Sequence, residues 1–154
     1  MQELSDLNEI LRKECGNRGL RLTSKRVQIM SCLMASRKSL SAYELIDLCE
    51  ENYGESIPPI TVYRVLEFFE EQNMVHKLQT MNKFVACAHI DCQNSHPRAQ
   101  FLICSECQKV EELAISSIEL EKVEQEAKKI GFVLKKPQLE MEGVCTMCAE
   151  KKSG

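Results

Sequence analysis

The stretch TVYRVLEFFEEQNMVHKLQTMNKFVACA, residues 61–88, changes its hydrophobic period partway along. Val62, Val65, Leu66 and Phe69 recur at i, i+3, i+4 and i+7, the spacing of one buried helical stripe. Thr61 is placed to cap that helix. Thr61 and Arg64 fall opposite the stripe with Tyr63 at its margin, and Glu67, Glu70 and Glu71 crowd the second half. Only the N-terminal end of the helix can therefore approach a phosphate backbone. From Met74 onward the pattern becomes that of a hairpin, with β-prone runs flanking a short turn at Met81 and Asn82. A loop of two or four residues sets Thr80 opposite Lys83, Leu78 opposite Val85 and His76 opposite Cys87. Opposed residues carry Cβ atoms about 4.5–5.5 Å apart, within reach of one metal ion bonded at about 2.0–2.3 Å to nitrogen and sulfur. A helix followed at once by such a hairpin predicts the second helix and the wing of a winged helix-turn-helix, whose N-terminal residues meet base edges.

Working upstream, residues 4–48 are helical in pattern, with start signals at Ser5, Thr23 and Ser41. Ser41 stands three residues before Glu44, which is the spacing of a reciprocal capping box. A helix over about residues 41–52 follows, and NYGESIPP ends it with Gly and two prolines. The segment RKECGNRGLRLTSKR carries Arg12, Lys13, Arg18, Arg21, Lys25 and Arg26 against one acid, Glu14. It reads equally well as a nucleic-acid patch and as a solvated helix face. Residues 1–85 thus form a winged-helix domain of three or four helices and a two-stranded wing. Residues 86–154 are a different kind of segment, with strands around AQFLIC, VEEL and KKPQLEMEGV, and a helix between them whose apolar seam is Leu120, Val123, Ala127 and Ile130. The fold class expected is α+β.

Hydrophobic residues make up 44% and charged residues 28% of the 154, with six Gly and four Pro, which is the composition of a packed globular chain rather than a disordered one. No run approaches the roughly 18 apolar residues of a membrane span, and MQELSDLNEI lacks the plan of a signal peptide. The expected location is the cytoplasm. A net charge of −3 argues against nonspecific coating of nucleic acid, although a local patch does not show in the sum.

In a reducing compartment, nine cysteines point to metal ligation more than to disulfides. Cys104, Cys107, Cys145 and Cys148 form two CxxC pairs separated by 37 residues, and they supply the four thiolates of a structural zinc site. The loop the ion closes must hold a helix and a strand. The three histidines His76, His89 and His96 fall within 21 residues, together with Cys87 and Cys92. Nitrogen donors with one thiolate favour zinc over iron(II) or manganese(II), so a second, sensing site is expected there. Cys15, Cys32 and Cys49 sit among apolar residues and read as small buried hydrophobes.

RLTSKR, SAYELIDL, PPITVYRVLEFF, VHK and the two CxxC pairs together resemble the ferric uptake regulator family, and most closely its zinc uptake regulator branch. The resemblance covers essentially the whole chain. It implies a dimeric, metal-dependent repressor with an N-terminal winged helix and a C-terminal α/β dimerisation domain. It further implies structural zinc on Cys104, Cys107, Cys145 and Cys148, and regulatory zinc on His76, Cys87, His96 and Glu112, about two zinc ions per chain. Tyr63 and Arg64 match the recognition-helix motif, Thr61 begins it, and Tyr43 matches a tyrosine near the DNA. Arg64 then reads a purine edge, while Tyr63 meets a thymine methyl or a phosphate. The chain has SHPRAQFLIC where the iron branch carries a histidine-rich HHDH, which removes hard-metal ligands. His89 or Cys92 stands as an alternative to His96, and Glu111 as an alternative to Glu112.

The function expected is a zinc-responsive repressor of zinc-uptake genes, binding palindromic AT-rich double-stranded DNA as a homodimer. The alternatives are a regulator sensing iron, manganese or nickel, a zinc-stabilised protein adaptor, and a thiol redox sensor using Cys87 and Cys92. An enzyme is not expected: HExxH is absent, and so is the deaminase His-x-Glu with a later Pro-Cys-x-x-Cys, since Ile103 and Val144 precede the two pairs.

Overall fold

The computed structural model describes residues 2–87, 100–113, 117–135 and 138–153. The chain divides into two compact units, Met1–Asp91 and Cys92–Gly154. The first contains α1 (Gln2–Asn17), α2 (Ser24–Ser36), α3 (Ala42–Tyr53) and α4 (Pro59–Glu71), followed by β1 (Val75–Leu78) and β2 (Lys83–Ala86).

Local chemistry sets each helix start. The Thr23 hydroxyl accepts from the Arg26 amide at 3.3 Å ahead of α2. At α3 the Ser41 hydroxyl accepts from the Glu44 amide at 3.2 Å, while the Glu44 carboxylate accepts from the Ser41 amide at 3.0 Å, completing the capping box. Thr61 does not cap α4. That helix begins earlier, with Pro58 at the cap and Pro59 in the first turn, where a residue without an amide hydrogen loses nothing. Asn73, at a φ of 57°, ends α4 in the left-handed region, and the Met74 amide bonds back to the Phe69 carbonyl at 2.9 Å.

The helices close over a core that includes Leu11, Ile29, Leu33, Leu45, Leu66 and Phe69. The hairpin is antiparallel, but its register is Val75 to Ala86, His76 to Val85, Lys77 to Phe84 and Leu78 to Lys83. The expected pairing of Leu78 with Val85 and of His76 with Cys87 is therefore wrong. A four-residue turn over 79–82, with Asn82 at a φ of 51°, starts two residues earlier than expected and moves every pair. The Leu40 and Phe84 amides and carbonyls exchange bonds of 2.9 and 2.8 Å, tying the approach to α3 onto the wing.

The second unit holds β3 (Gln100–Cys104), β4 (Val110–Leu113), α5 (Ser117–Lys129), β5 (Leu139–Gly143) and α6 (Thr146–Ser153). Its sheet runs β4-β3-β5, with β3 antiparallel to β4 and parallel to β5. Helix α5 lies in the crossover that a parallel pair requires. Gly131, at a φ of 87°, terminates that helix, with the Phe132 amide bonded to the Ala127 carbonyl at 2.9 Å. Only part of the expected α5 seam is buried: Leu120 is covered, while Val123 and Ile130 are 42% and 75% exposed. No helix among the described residues is long and apolar enough to cross a membrane.

Candidate metal centres and nucleic-acid interface

The two CxxC pairs meet within the second unit. Cys104 ends β3, Cys107 lies in the turn after it, Cys145 follows β5 and Cys148 sits on α6. Backbone bonds shape both knuckles: the Ser105 amide donates to the Gly143 carbonyl at 2.9 Å and the Gln108 amide to the Cys104 carbonyl at 3.0 Å. All four sulfur atoms lie within 4.8 Å of one another. The Cys107 and Cys145 sulfurs are 3.8 Å apart, which matches the edge of about 3.8 Å in a tetrahedron with zinc–sulfur bonds of about 2.3 Å. The donor set therefore fits zinc.

Electrostatics in the cluster point the same way. Amide hydrogens of Cys107 and Cys145 aimed at the Cys104 sulfur draw that thiol down to about 6. Cys148, whose thiol is hydrogen-bonded to the Cys145 sulfur, is pushed up to about 12. Four thiolates cannot gather without a cation, and a divalent ion removes that conflict.

In the first unit, the corrected register still brings two sensing candidates together. His76 lies on β1 opposite Val85, and Cys87 follows two residues after Val85, so both side chains share a face of the hairpin. Their candidate ligand atoms are within 4.8 Å of each other, and the Cys87 amide bonds to the Met74 carbonyl at 2.9 Å. Glu112 lies on β4 of the second unit, half-buried opposite Phe101. Its neighbour Glu111 points to the other face, exposed and paired with Lys109 at 2.8 Å. His89, Cys92 and His96 lie outside the described residues.

The N-terminal turns of α3 and α4 display the candidate DNA contacts. Tyr43 is 65% exposed, Tyr63 is 43% exposed, Arg64 is exposed and Thr61 is half-buried as the third residue of α4. The basic segment upstream does not act as one patch. Arg18 is bonded to the buried Glu14 at 2.7 Å and to the Gln72 carbonyl at 2.6 Å. Lys25 pairs with Glu55 at 2.6 Å, and the Arg26 guanidinium lies 3.6 Å above the Phe68 ring. These three side chains brace the helices, leaving Arg12, Lys13 and Arg21 on the exposed surface.

Comparison with known proteins places this arrangement. The chain is 37% identical, over 138 residues, to a zinc uptake regulation protein of Escherichia coli K12, covering 90% of this chain and 78% of that one. It is 30% identical over 131 residues to a ferric uptake regulation protein of Cupriavidus metallidurans, covering 84% and 87%. Among solved structures, a zinc uptake regulator complexed with zinc and DNA superposes with a TM-score of 0.84 at 32% identity, covering 98% of both chains. A sequence profile of the ferric uptake regulator family matches residues 17–142. With its winged-helix unit followed by a sheet that carries four clustered cysteines, the chain belongs to the ferric uptake regulator family.

Proposed function

We propose that the protein is a zinc-responsive transcriptional repressor of zinc-uptake genes, which binds palindromic AT-rich operators as a zinc-loaded homodimer in the cytoplasm and catalyses no reaction. The observation that carries this reading is the His76–Cys87 pair on the wing, which joins nitrogen and thiolate donors within 4.8 Å in the same unit as the exposed end of α4. Such donors suit zinc better than iron(II) or manganese(II).

Cys104, Cys107, Cys145 and Cys148 hold the structural ion. The regulatory ion is assigned to His76, Cys87, His96 and Glu112, and the engagement of Glu111 with Lys109 favours Glu112 over its neighbour. Zinc held by these residues would act as a Lewis acid that cross-links their nitrogen, sulfur and oxygen donors. The chain itself does the reading. Arg64 offers a planar fork to a purine edge, Tyr63 and Thr61 flank it, and Tyr43 reaches the backbone from α3. The acids Glu67, Glu70 and Glu71 restrict this contact to the first turns of α4. In the second unit, the exposed Val123, Ile130, Phe132 and Val133 form the apolar surface that a second copy covers.

Zinc content per chain, followed through a graded chelator titration while binding to an operator duplex is measured, tests this reading. Two ions per chain are expected, one resisting removal and one leaving in step with DNA binding. His76→Ala should abolish zinc-dependent binding with an unchanged far-ultraviolet circular dichroism spectrum. A single ion per chain, or binding indifferent to loss of the second, overturns the sensing role.

A further inference from the structure

Four large apolar side chains stand exposed in the first unit among the described residues: Ile10, Tyr43, Ile60 and Tyr63. Ile10 belongs to α1, whereas the other three occupy the N-terminal turns of α3 and α4. Ile60, the second residue of α4, is 60% exposed. Exposed apolar residues are common singly and need no explanation by themselves. The position of this one is what matters. Residues three and four apart on a helix are neighbours, so Ile60 shares a face with Tyr63 and Arg64, one turn nearer the helix start.

We propose that Ile60 is a specificity-determining residue that packs against the 5-methyl group of a thymine in the major groove of the operator. The proposal rests on the repressor reading above, because it takes α4 to be the helix that meets base edges. Ile60 has no polar side-chain atom, so it can bond neither a phosphate nor the donors and acceptors of a base edge. The thymine methyl is the apolar feature that the major groove displays. A β-branched side chain on a helix has one strongly preferred rotamer, and Pro58 and Pro59 fix the backbone that leads into it. Ile60 therefore presents its methyl groups with little freedom left to lose. The first turn of α4 also carries no acidic residue. Pro58 and Pro59 have no amide hydrogen, and the Thr61 and Val62 amides donate to the Pro58 carbonyl at 3.0 and 3.2 Å. The helix dipole, unopposed by a first-turn acid, is therefore what attracts a DNA phosphate to this end and brings the Ile60 position close to the bases.

The test is a double-mutant cycle between protein and DNA. A duplex selected from a random pool by the zinc-loaded protein is remade with each symmetric pair of thymines replaced in turn by deoxyuridine, which removes only the methyl groups. Wild type and Ile60→Ala are compared on every duplex, after thermal melting has shown equal folding, and Ile60→Ser, which also lacks the methyl groups, repeats the cycle as a second variant. At one symmetric position, deoxyuridine should weaken wild-type binding by about fourfold per half-site, the worth of one buried methyl group. The Ile60 variants should lose at least as much on the thymine duplex and show no further loss on the deoxyuridine duplex. Tyr63→Ala should retain its sensitivity at that same position. If every methyl loss weakens wild type and the Ile60 variants equally, the proposal is overturned. It is also overturned if sensitivity at the position survives in Ile60→Ala and vanishes in Tyr63→Ala, because Tyr63 is then the reader. A wild-type protein that selects no duplex in zinc refutes the repressor reading itself and removes the ground for this contact.

Discussion

The two units solve the problem of staying folded in different ways. The first buries an extended apolar cluster drawn from all four helices and the wing, and its cysteines Cys15, Cys32 and Cys49 sit inside as small hydrophobes. The second buries far less: among its described residues the covered apolar side chains are Phe101, Ile103, Cys104 and Leu120. Meanwhile Ile130, Phe132, Val133 and Met147 each stand more than 60% exposed. A core that small does not offset the conformational entropy of ordering the segment. In the function proposed above, zinc on the four-sulfur cluster and a covering second copy make up the difference. One unit is thus stabilised from within, the other by what it binds.

The largest effect expected from this contrast is on the metal side. Structural zinc contributes on the order of 10 kcal/mol to folding in small domains, so Cys104→Ser should unfold the β3–β5 sheet while the helices of the first unit persist. Hydrogen exchange resolved along the chain would check this, and protection retained in β3 would break the comparison. Next comes the first unit's own core. Phe69, fully buried, makes an edge-to-face contact with Phe68 at a centroid distance of 5.1 Å. Phe69→Ala should lower the stability of the first unit by about 3–5 kcal/mol and leave the zinc content of the four-cysteine site unchanged. Denaturant titration with parallel metal analysis separates the two.

A smaller loss is expected at the surface assigned to the second copy. Phe132→Ala should weaken self-association by about tenfold, as measured by sedimentation, without altering the first unit's melting. Helix capping should show less. Ser41→Ala removes one half of the capping box and should cost about 1 kcal/mol. The smallest effect is a pH dependence. The Ser41 amide, aided by Lys83, holds the Glu44 carboxyl below its ordinary value of 4.5. Its contribution is fully present above that value and is lost as pH falls through the lowered one. Stability of the first unit should therefore decline more steeply in acid for wild type than for Glu44→Gln.

How much of this was legible in the sequence varied with how local the signal is. The capping box, the α4 stripe and the CxxC spacing each rest on residues a few positions apart, and each is found where it was expected. The hairpin register was not legible, because loop length depends on which residue accepts the left-handed conformation, and Asn82 takes it at the end of a four-residue turn. Sharing a face needs only the parity of strand positions, so His76 and Cys87 still come together after a two-residue shift. Thr61 looked like a cap because hydroxyl residues favour that place, yet two prolines with preset φ angles started the helix sooner. The α5 seam has helical spacing, but periodicity cannot say whether an apolar face is covered by its own chain or by another. Ile60 falls outside the α4 stripe that begins at Val62, and its exposure follows only from the helix start at Pro59.

The 37 residues between the CxxC pairs also impose an order in time. A ribosome adding about 5–20 residues per second needs about 2–8 s to make that interval. By then the first unit is already synthesised and its core contains no ligand of the cluster. The DNA-reading half can mature while the metal-dependent half waits for its last two sulfurs, so a cell short of zinc accumulates chains that are half finished rather than wholly unfolded.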